Sequence, residues 1–308
     1  MPAVALEVEM KLTEVATNNF RVDIDVMDAD LAREIQTRLT ALGCLDPPAD
    51  GSFGPVSRLV LRELGRRANT DFDDVVDAGL ARVLLDNTAD DLFPLDLGGD
   101  FASRIIKYMQ LNGFWFARMP GFHTIVYVEG ANEDGSPNSD TFNEFNDRRM
   151  VIAIEDKKPK LLFNKLATTE PGKFFTVKPE NPKGAARIAF GQFKAWHVGI
   201  HKAGKPSAHE ALVQAAPLPV HRDLNKDGSR TGDKVDEGMF GINQHSGFNA
   251  SVKDIGHASA GCLVTRSHDD HKAFMALVKT DPRFRDASHG YRFVTTIIDG
   301  HDLQRKVG

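Results

Sequence analysis

The sequence predicts an α+β chain in which a small three-helix N-terminal module precedes a mainly β domain. Apolar residues recur at helical spacing through the first third, alternating and β-branched runs dominate after Phe101, and Pro- and Gly-rich segments separate the two textures. A chain of 308 residues has room for two domains. The limits read as an N-terminal arm over 1–27, a helical module over 28–97 and the β domain over 98–308.

Leu31, Ile35, Leu39 and Leu42 stand three and four residues apart, which predicts a helix with Asp28 or Asp30 as its cap. Gly43 ends it. The loop "DPPADGSFGPVSR" follows, and Pro55 opens a second helix whose apolar side continues through Leu59, Val60, Leu61 and Leu64. Gly51 and Gly54 suit a turn that needs positive φ, and Phe53 ties the loop to the core. A third helix runs through "FDDVVDAGLARVLLDN", with "FPLDLGGD" as linker. One more helix, "FASRIIKYMQLNGFWF", precedes strands such as "HTIVYVEG", "RMVIAIED", "AWHVGIHK" and "RFVTTIID". Near the end "SHDDHKAFMALVK" reads as a helix capped by Ser267.

Net charge is −5 and the isoelectric point about 6.1, which argues against general attraction to nucleic acid or anionic membrane. No apolar run approaches the roughly 18 residues of a membrane span. "MPAVALEVEMKLTEVATNNF" carries acids in its apolar stretch and no basic start, so synthesis in the cytoplasm without a cleavable signal is expected. The oligomeric state stays open.

The chain has two cysteines. Cys44, at the end of an apolar-periodic helix, reads as a core residue. Cys262 sits in "GINQHSGFNASVKDIGHASAGCLV", behind a Ser-Ala-Gly run and downstream of His245 and His257. A free thiol is only about 3% ionised at pH 7, and a neighbouring imidazolium raises that fraction and later returns the proton. Ala260 and Gly261 are small enough to admit a substrate carbonyl, and the amides of the Ser259–Cys262 turn are candidates for an oxyanion hole. Two other readings stand beside this one. Cys262 can be a buried structural thiol, or His197, His201, His209, His245, His257 and Cys262 can supply zinc ligands, although no H-E-x-x-H motif is present.

The stretch "IQTRLTALGCLDPPADGSFGPVSRLVLREL" resembles the peptidoglycan-binding module of bacterial and phage wall enzymes, most specifically at "DGSFGPVSR". The likeness implies peptidoglycan as partner and makes Asp50 and Phe53 candidate contacts. The cysteine segment resembles the L,D-transpeptidase (YkuD-like) catalytic domain. That family carries a strand-borne His-Gly pair, a variable loop, and Ser-x-Gly-Cys with an arginine two places on. His245, Ser259, Gly261 and Cys262 fall on the pattern, and "ATTEPGKFFT" looks like the Thr/Pro-Gly strand of the same cleft, which brings in Thr169. The resemblance implies that Cys262 forms a thioester with a stem peptide, that His245 is general base and acid, and that no cofactor is required. The departures are Ser246 directly after His245, Ala260 where a second histidine is usual, and Val264 in the arginine's place. His257 is the candidate replacement imidazole and Arg266 the candidate replacement cation. Lacking a leader, such a protein would reach the wall by phage-type or other non-classical delivery. A second function class, a wall-binding protein without catalysis, stays open.

Asp223, Asn225 and Asp227 alternate in "DLNKDGSRTGDKVDE" like the first half of a calcium loop, but Lys234 stands where a glutamate is needed, so an Asx-rich turn is the better reading and calcium the alternative. Trp196 and His197, on a strand expected near the cleft, are further candidates for substrate contact.

Overall fold

The computed structural model describes residues 10–70 and 72–308; residues 1–9, the start of the expected arm, lie outside the described residues. The chain divides into two compact units. One comprises the chain up to Leu95 with Trp115–Met119 and Asp286–Ser288; the other comprises Asp96–Phe114, Pro120–Arg285 and His289–Gly308.

Among the described residues the first unit carries five helices where three are expected: α1 (Leu12–Asn18), α2 (Ala29–Ala41), α3 (Pro55–Arg67), α4 (Ala78–Asp86) and the single turn α5 (Ala89–Leu92). A two-residue ladder joins β1 (Val22–Asp23) to β2 (Val75–Val76). Helix α1 arises in the presumed arm because Leu12, Val15 and Ala16 are all buried and Glu14 returns to the Lys11 N–H. Asp28, rather than Asp30, caps α2, accepting from the Asp30 and Leu31 amides. Leu31, Ile35, Leu39 and Leu42 are buried as their spacing requires.

The loop between α2 and α3 is organised by Gln36. Its Nε2 donates to Asp50 and to the Ser52 carbonyl, and its Oε1 accepts the Gly51 N–H at 2.7 Å. Asp50 also accepts the Ser52 N–H, and Phe53 is half-buried. Gly51 has φ +77°, but Gly54 is extended at φ −81°. Gly54 is therefore the cap before Pro55, not a second left-handed residue.

In the second unit, α6 (Phe101–Leu111) leads into eight strands that close a barrel. These are β3 (Thr124–Glu129), β4 (Asp147–Glu155), β5 (Lys158–Thr168), β7 (Gly191–His201), β8 (His209–Gln214), β11 (Gln244–Ser246), β12 (Leu263–Thr265) and β13 (Phe293–Asp299), in the spatial order β11-β12-β5-β4-β3-β13-β7-β8. Beside them β6 (Ala185–Ile188), β9 (Leu218–Asp223) and β10 (Lys234–Gly238) form a smaller antiparallel sheet with β9 central. Short α7 (Lys173–Val177), α8 (His268–Val278) and α9 (Gly300–Val307) complete an α+β architecture. The β4–β5 hairpin turns at Asp156 and Lys157, both at positive φ, as a two-residue turn between twisted strands demands.

The strands that position the site are tied together by a buried arginine. Arg149 on β4 donates to Thr265 on β12 and to Gln244 on β11, and its guanidinium lies 3.1 Å from the Phe274 ring centroid of α8. Gln244 passes the connection to Thr295 on β13. A buried guanidinium without such partners would be strongly unfavourable, so the network holds β11 and β12 in one register.

Candidate active site

Strands β11 and β12 run parallel, pairing Gln244 with Leu263 and His245 with Val264. Side chains alternate along strands, so His245 and Cys262, which lies one residue before β12, share a face of the pair. Both line a cavity of about 430 Å³, together with His201, Lys202, Arg222 and His257. The other wall of the turn comes from "TTEPG": Thr168 pairs with Val264, and the Gly172 N–H donates to the Ser259 carbonyl at 2.9 Å. Gly172 has no room for a side chain, since a Cβ would lie 2.2 Å from the Gly256 oxygen.

The Ser-Ala-Gly-Cys turn is closed by its own serine. Ser259 Oγ accepts the Gly261 N–H and donates to the Cys262 carbonyl at 2.8 Å. Gly261 has φ +125°, and a Cβ there would meet the Ala186 carbonyl oxygen of β6 at 2.4 Å, so only glycine fits. One expectation is revised here: the Gly261 amide serves the turn and not an oxyanion. The Cys262 N–H has no hydrogen-bond acceptor among the described residues.

His245 is buried and its protonation is set by geometry. Nδ1 faces the Ser246 carbonyl at 2.9 Å, which can only accept, so Nδ1 carries the proton and Nε2 keeps a lone pair. The ring of His201 on β7 stacks on it, centroids 3.9 Å apart and planes 9° from parallel. Asn243 settles the tautomer of His201: its Oδ1 accepts the Gln214 N–H, so its Nδ2 donates to His201 Nδ1 at 2.9 Å. His201 Nε2–H is then a buried donor with no partner among the described residues. Asn243 also donates its N–H to Cys262 Sγ at 3.4 Å.

Electrostatics give a second revision. Burial pushes the Cys262 thiol up to about 11, with the Asn243 amide pulling the other way. Although Cys262 borders the cavity it is only partly exposed, and the walls around Sγ dominate. Burial first, and then the stacked His201, hold His245 well below the usual imidazole range, and His201 itself falls to about 4. Sγ itself donates to the Gly241 carbonyl at 3.4 Å, and burial favours the neutral forms of both the thiol and the imidazole, not the thiolate–imidazolium pair expected from the sequence.

Other predicted residues lie elsewhere. Trp196 is fully buried and donates Nε1–H to the Ile242 carbonyl at 2.8 Å; it supports the segment leading to His245 and does not line the cavity. His197, also outside the lining, pairs across the ladder with Val213. Thr169 points away from the cysteine: its hydroxyl, fully buried, bonds Glu129 and Asp147. Around it Arg187 bridges Glu129 and Glu170, and Arg230 holds Glu129 through two bonds. His257 is exposed, lines the cavity and packs against Phe174 with ring centroids 3.9 Å apart and planes tilted by 37°. Arg266, the candidate replacement cation, donates to the Ala250 carbonyl and is not among the lining residues. Asp50 and Phe53 belong to the other unit.

The zinc set is not assembled. Lone pairs of imidazoles lie in the ring plane, so the parallel rings of His201 and His245 cannot converge on one ion. His209 Nε2 accepts the Ser246 N–H, and among the described residues no group of three or more His, Cys, Asp or Glu is placed to hold a metal ion. In the candidate calcium loop, Asp223 accepts from the Asp227 and Gly228 amides and Asp227 from the Ser229 amide, the bonding of an Asx-rich turn.

Sequence reading missed Arg222 and Asn243 and weighed His201 only as a metal ligand. The signal available for Asn243 was its place in "GINQH", two residues before the base.

No family model and no curated protein matches this chain. Among solved structures it is similar to a fused Zn-dependent amidase/peptidase/peptidoglycan-binding domain-containing protein from Clostridium acetobutylicum, at 13% identity over 91% of this chain and 100% of that one, with a TM-score of 0.26. A likeness at that level carries no functional argument.

Proposed function

We propose that the chain is a cysteine-dependent acyl-transfer enzyme acting on peptidoglycan stem peptides. The observation that carries the chemistry is that one cavity is lined both by Cys262 and by a histidine whose Nδ1 proton is engaged and whose Nε2 is free. Cys262 Sγ attacks a peptide carbonyl carbon while its proton passes to His245 Nε2. Because both groups rest neutral, this transfer accompanies attack and does not precede it. The oxyanion that forms takes the Cys262 N–H and the unpartnered His201 Nε2–H as donors. His245 then protonates the leaving amine, the C–N bond breaks and a thioester remains. An amine or a water molecule, deprotonated by His245, attacks that thioester; the C–S bond breaks and the thiol is restored.

Peptidoglycan as substrate is supported by the motif resemblances of both halves of the chain, and the helical unit is proposed to hold the enzyme on the wall. The test is mass spectrometry of sacculus fragments after incubation with the protein and with Cys262→Ala. New cross-linked dimers mean transfer and lost masses mean hydrolysis, in each case abolished by the substitution. Unchanged fragments, with the protein still co-sedimenting, would leave a wall-binding protein without catalysis.

A further inference from the structure

The geometry points to Arg222 as a specificity residue that receives the free carboxylate of a peptide bound in the Cys262 cavity. This rests on the acyl-transfer reading above and adds what the substrate must carry. Arg222 lies on β9, the central strand of the small sheet, directly opposite Ala186 on β6. Residues paired across a ladder share a face. Ala186 lines the cavity and faces Gly261 of the cysteine turn, and Arg222 lines the cavity with it.

The guanidinium is held but not saturated. Its Nε donates to Asp236 at 3.1 Å, Nη1 reaches the Gly184 carbonyl at 3.5 Å, and the Phe240 ring supports it 4.2 Å away. Nη2 is buried with no hydrogen-bond partner among the described residues, in a side chain only 5% exposed. A buried donor left unpaired is unfavourable, and an anion supplies what it lacks. Charge points the same way. Lys202 is the other Lys or Arg among the lining residues, while Lys183 and Asp236, whose carboxylate also meets Arg222, line a separate cavity. The single carboxylate among the lining residues, Glu180, is exposed to solvent.

The cavity of about 430 Å³ that Cys262 and Arg222 both line has room for a few residues. An anion that reaches Arg222 while a carbonyl lies at Cys262 therefore belongs to a residue close to the reacting bond. A C-terminal carboxylate fits that place. With Nε on Asp236 and Nη1 toward Gly184, Nη2 is the donor left for that carboxylate, in a position fixed by the other two bonds.

The test uses two synthetic stem peptides that differ only in a free C-terminal carboxylate or its primary amide, titrated calorimetrically into the full chain carrying Cys262→Ser so that no turnover occurs. The acid should bind about tenfold or more tightly than the amide, Arg222→Gln should bring that ratio close to one, and Arg222→Lys should fall between. Should Arg222→Gln fail to fold, Phe240→Leu, which loosens the guanidinium without removing it, must lower the same ratio. Equal binding of acid and amide, a preference that survives Arg222→Gln, or no binding of either peptide at millimolar concentration would overturn the assignment. Turnover of sacculi by the unsubstituted chain judges the cysteine chemistry separately. Acid preference without turnover sinks the enzyme and spares the subsite; turnover without acid preference does the reverse.

Discussion

The two cysteines of this chain occupy opposite kinds of surroundings, yet their acidities are much alike. Burial pushes Cys44 up to about 12 and Cys262 up to about 11. Cys44 is fully buried, and its Sγ has the Leu42 carbonyl at 3.7 Å for a partner. Cys262 Sγ likewise has a carbonyl partner, Gly241 at 3.4 Å, but the residue touches a small apolar cluster of Phe145, Ile255 and Val264 on one side and borders a cavity that His245 also lines on the other. A raised thiol pKa therefore does not separate an inert cysteine from a candidate nucleophile. Access and the lone pair of the histidine on the same cavity do.

The most severe way to break this comparison is chemical labelling of the folded protein. Iodoacetamide should modify Cys262 under native conditions, while Cys44 waits for global opening and labels about a thousandfold or more slowly. Peptide mass spectrometry with and without denaturant reads both sites in one sample. Because thiolate is the reactive form and the thiol's pKa lies near 11, Cys262 labelling should climb about tenfold for each pH unit through neutral and mildly alkaline solution. A plateau near neutral pH would mean a preformed thiolate and would contradict the neutral pair. Comparable native labelling of Cys44 would remove the contrast altogether.

A smaller effect sharpens the role of the imidazole. If His245 is a base and not a standing counter-charge, His245→Ala should lower turnover of sacculi about a hundredfold or more while changing the labelling rate of Cys262 by less than about threefold. Parallel loss of both rates would restore the ion-pair picture. Parallel retention of both would leave the histidine a packing residue.

How far these surroundings could be read from sequence follows the range of the contacts. The Cys262 turn was legible because it is local: Ser259, Gly261 and the cysteine bond within four consecutive residues. Cys44 was legible through helical spacing. Trp196 and Thr169 were placed on the wrong side, because one step along an extended chain exchanges the two faces and the sequence does not state the register. Thr168 pairs beside the cysteine strand, whereas its neighbour Thr169 enters the carboxylate cluster. Arg222 was not legible at all. It meets the cavity through the β6–β9 pairing with Ala186, and a lone arginine in "PVHRD" carries no mark of that. His201 presents the same difficulty, since its stacking on His245 joins residues from distant strands.

That stack supplies the mildest and most specific test. His245 can accept the cysteine proton only while neutral, so activity should fall as pH drops through its folded-state pKa, which burial and then His201 hold well below the ordinary value of about 6.5. The acid limb of the rate profile should accordingly lie well below that value. His201→Phe keeps an aromatic face against His245 but removes its electrostatic contribution, and the limb should move upward. Since burial is the larger cause and remains, the shift should stop short of the free imidazole value. Loss of His201 Nε2–H as an oxyanion donor would instead lower turnover on the alkaline plateau. The two effects are separable in one set of kcat/KM measurements across pH: the midpoint of the acid limb reports the stacking and the plateau height reports the donor. An unmoved midpoint would mean that His201 does not set the acidity of His245, and an unmoved plateau would return the oxyanion to the Cys262 amide alone.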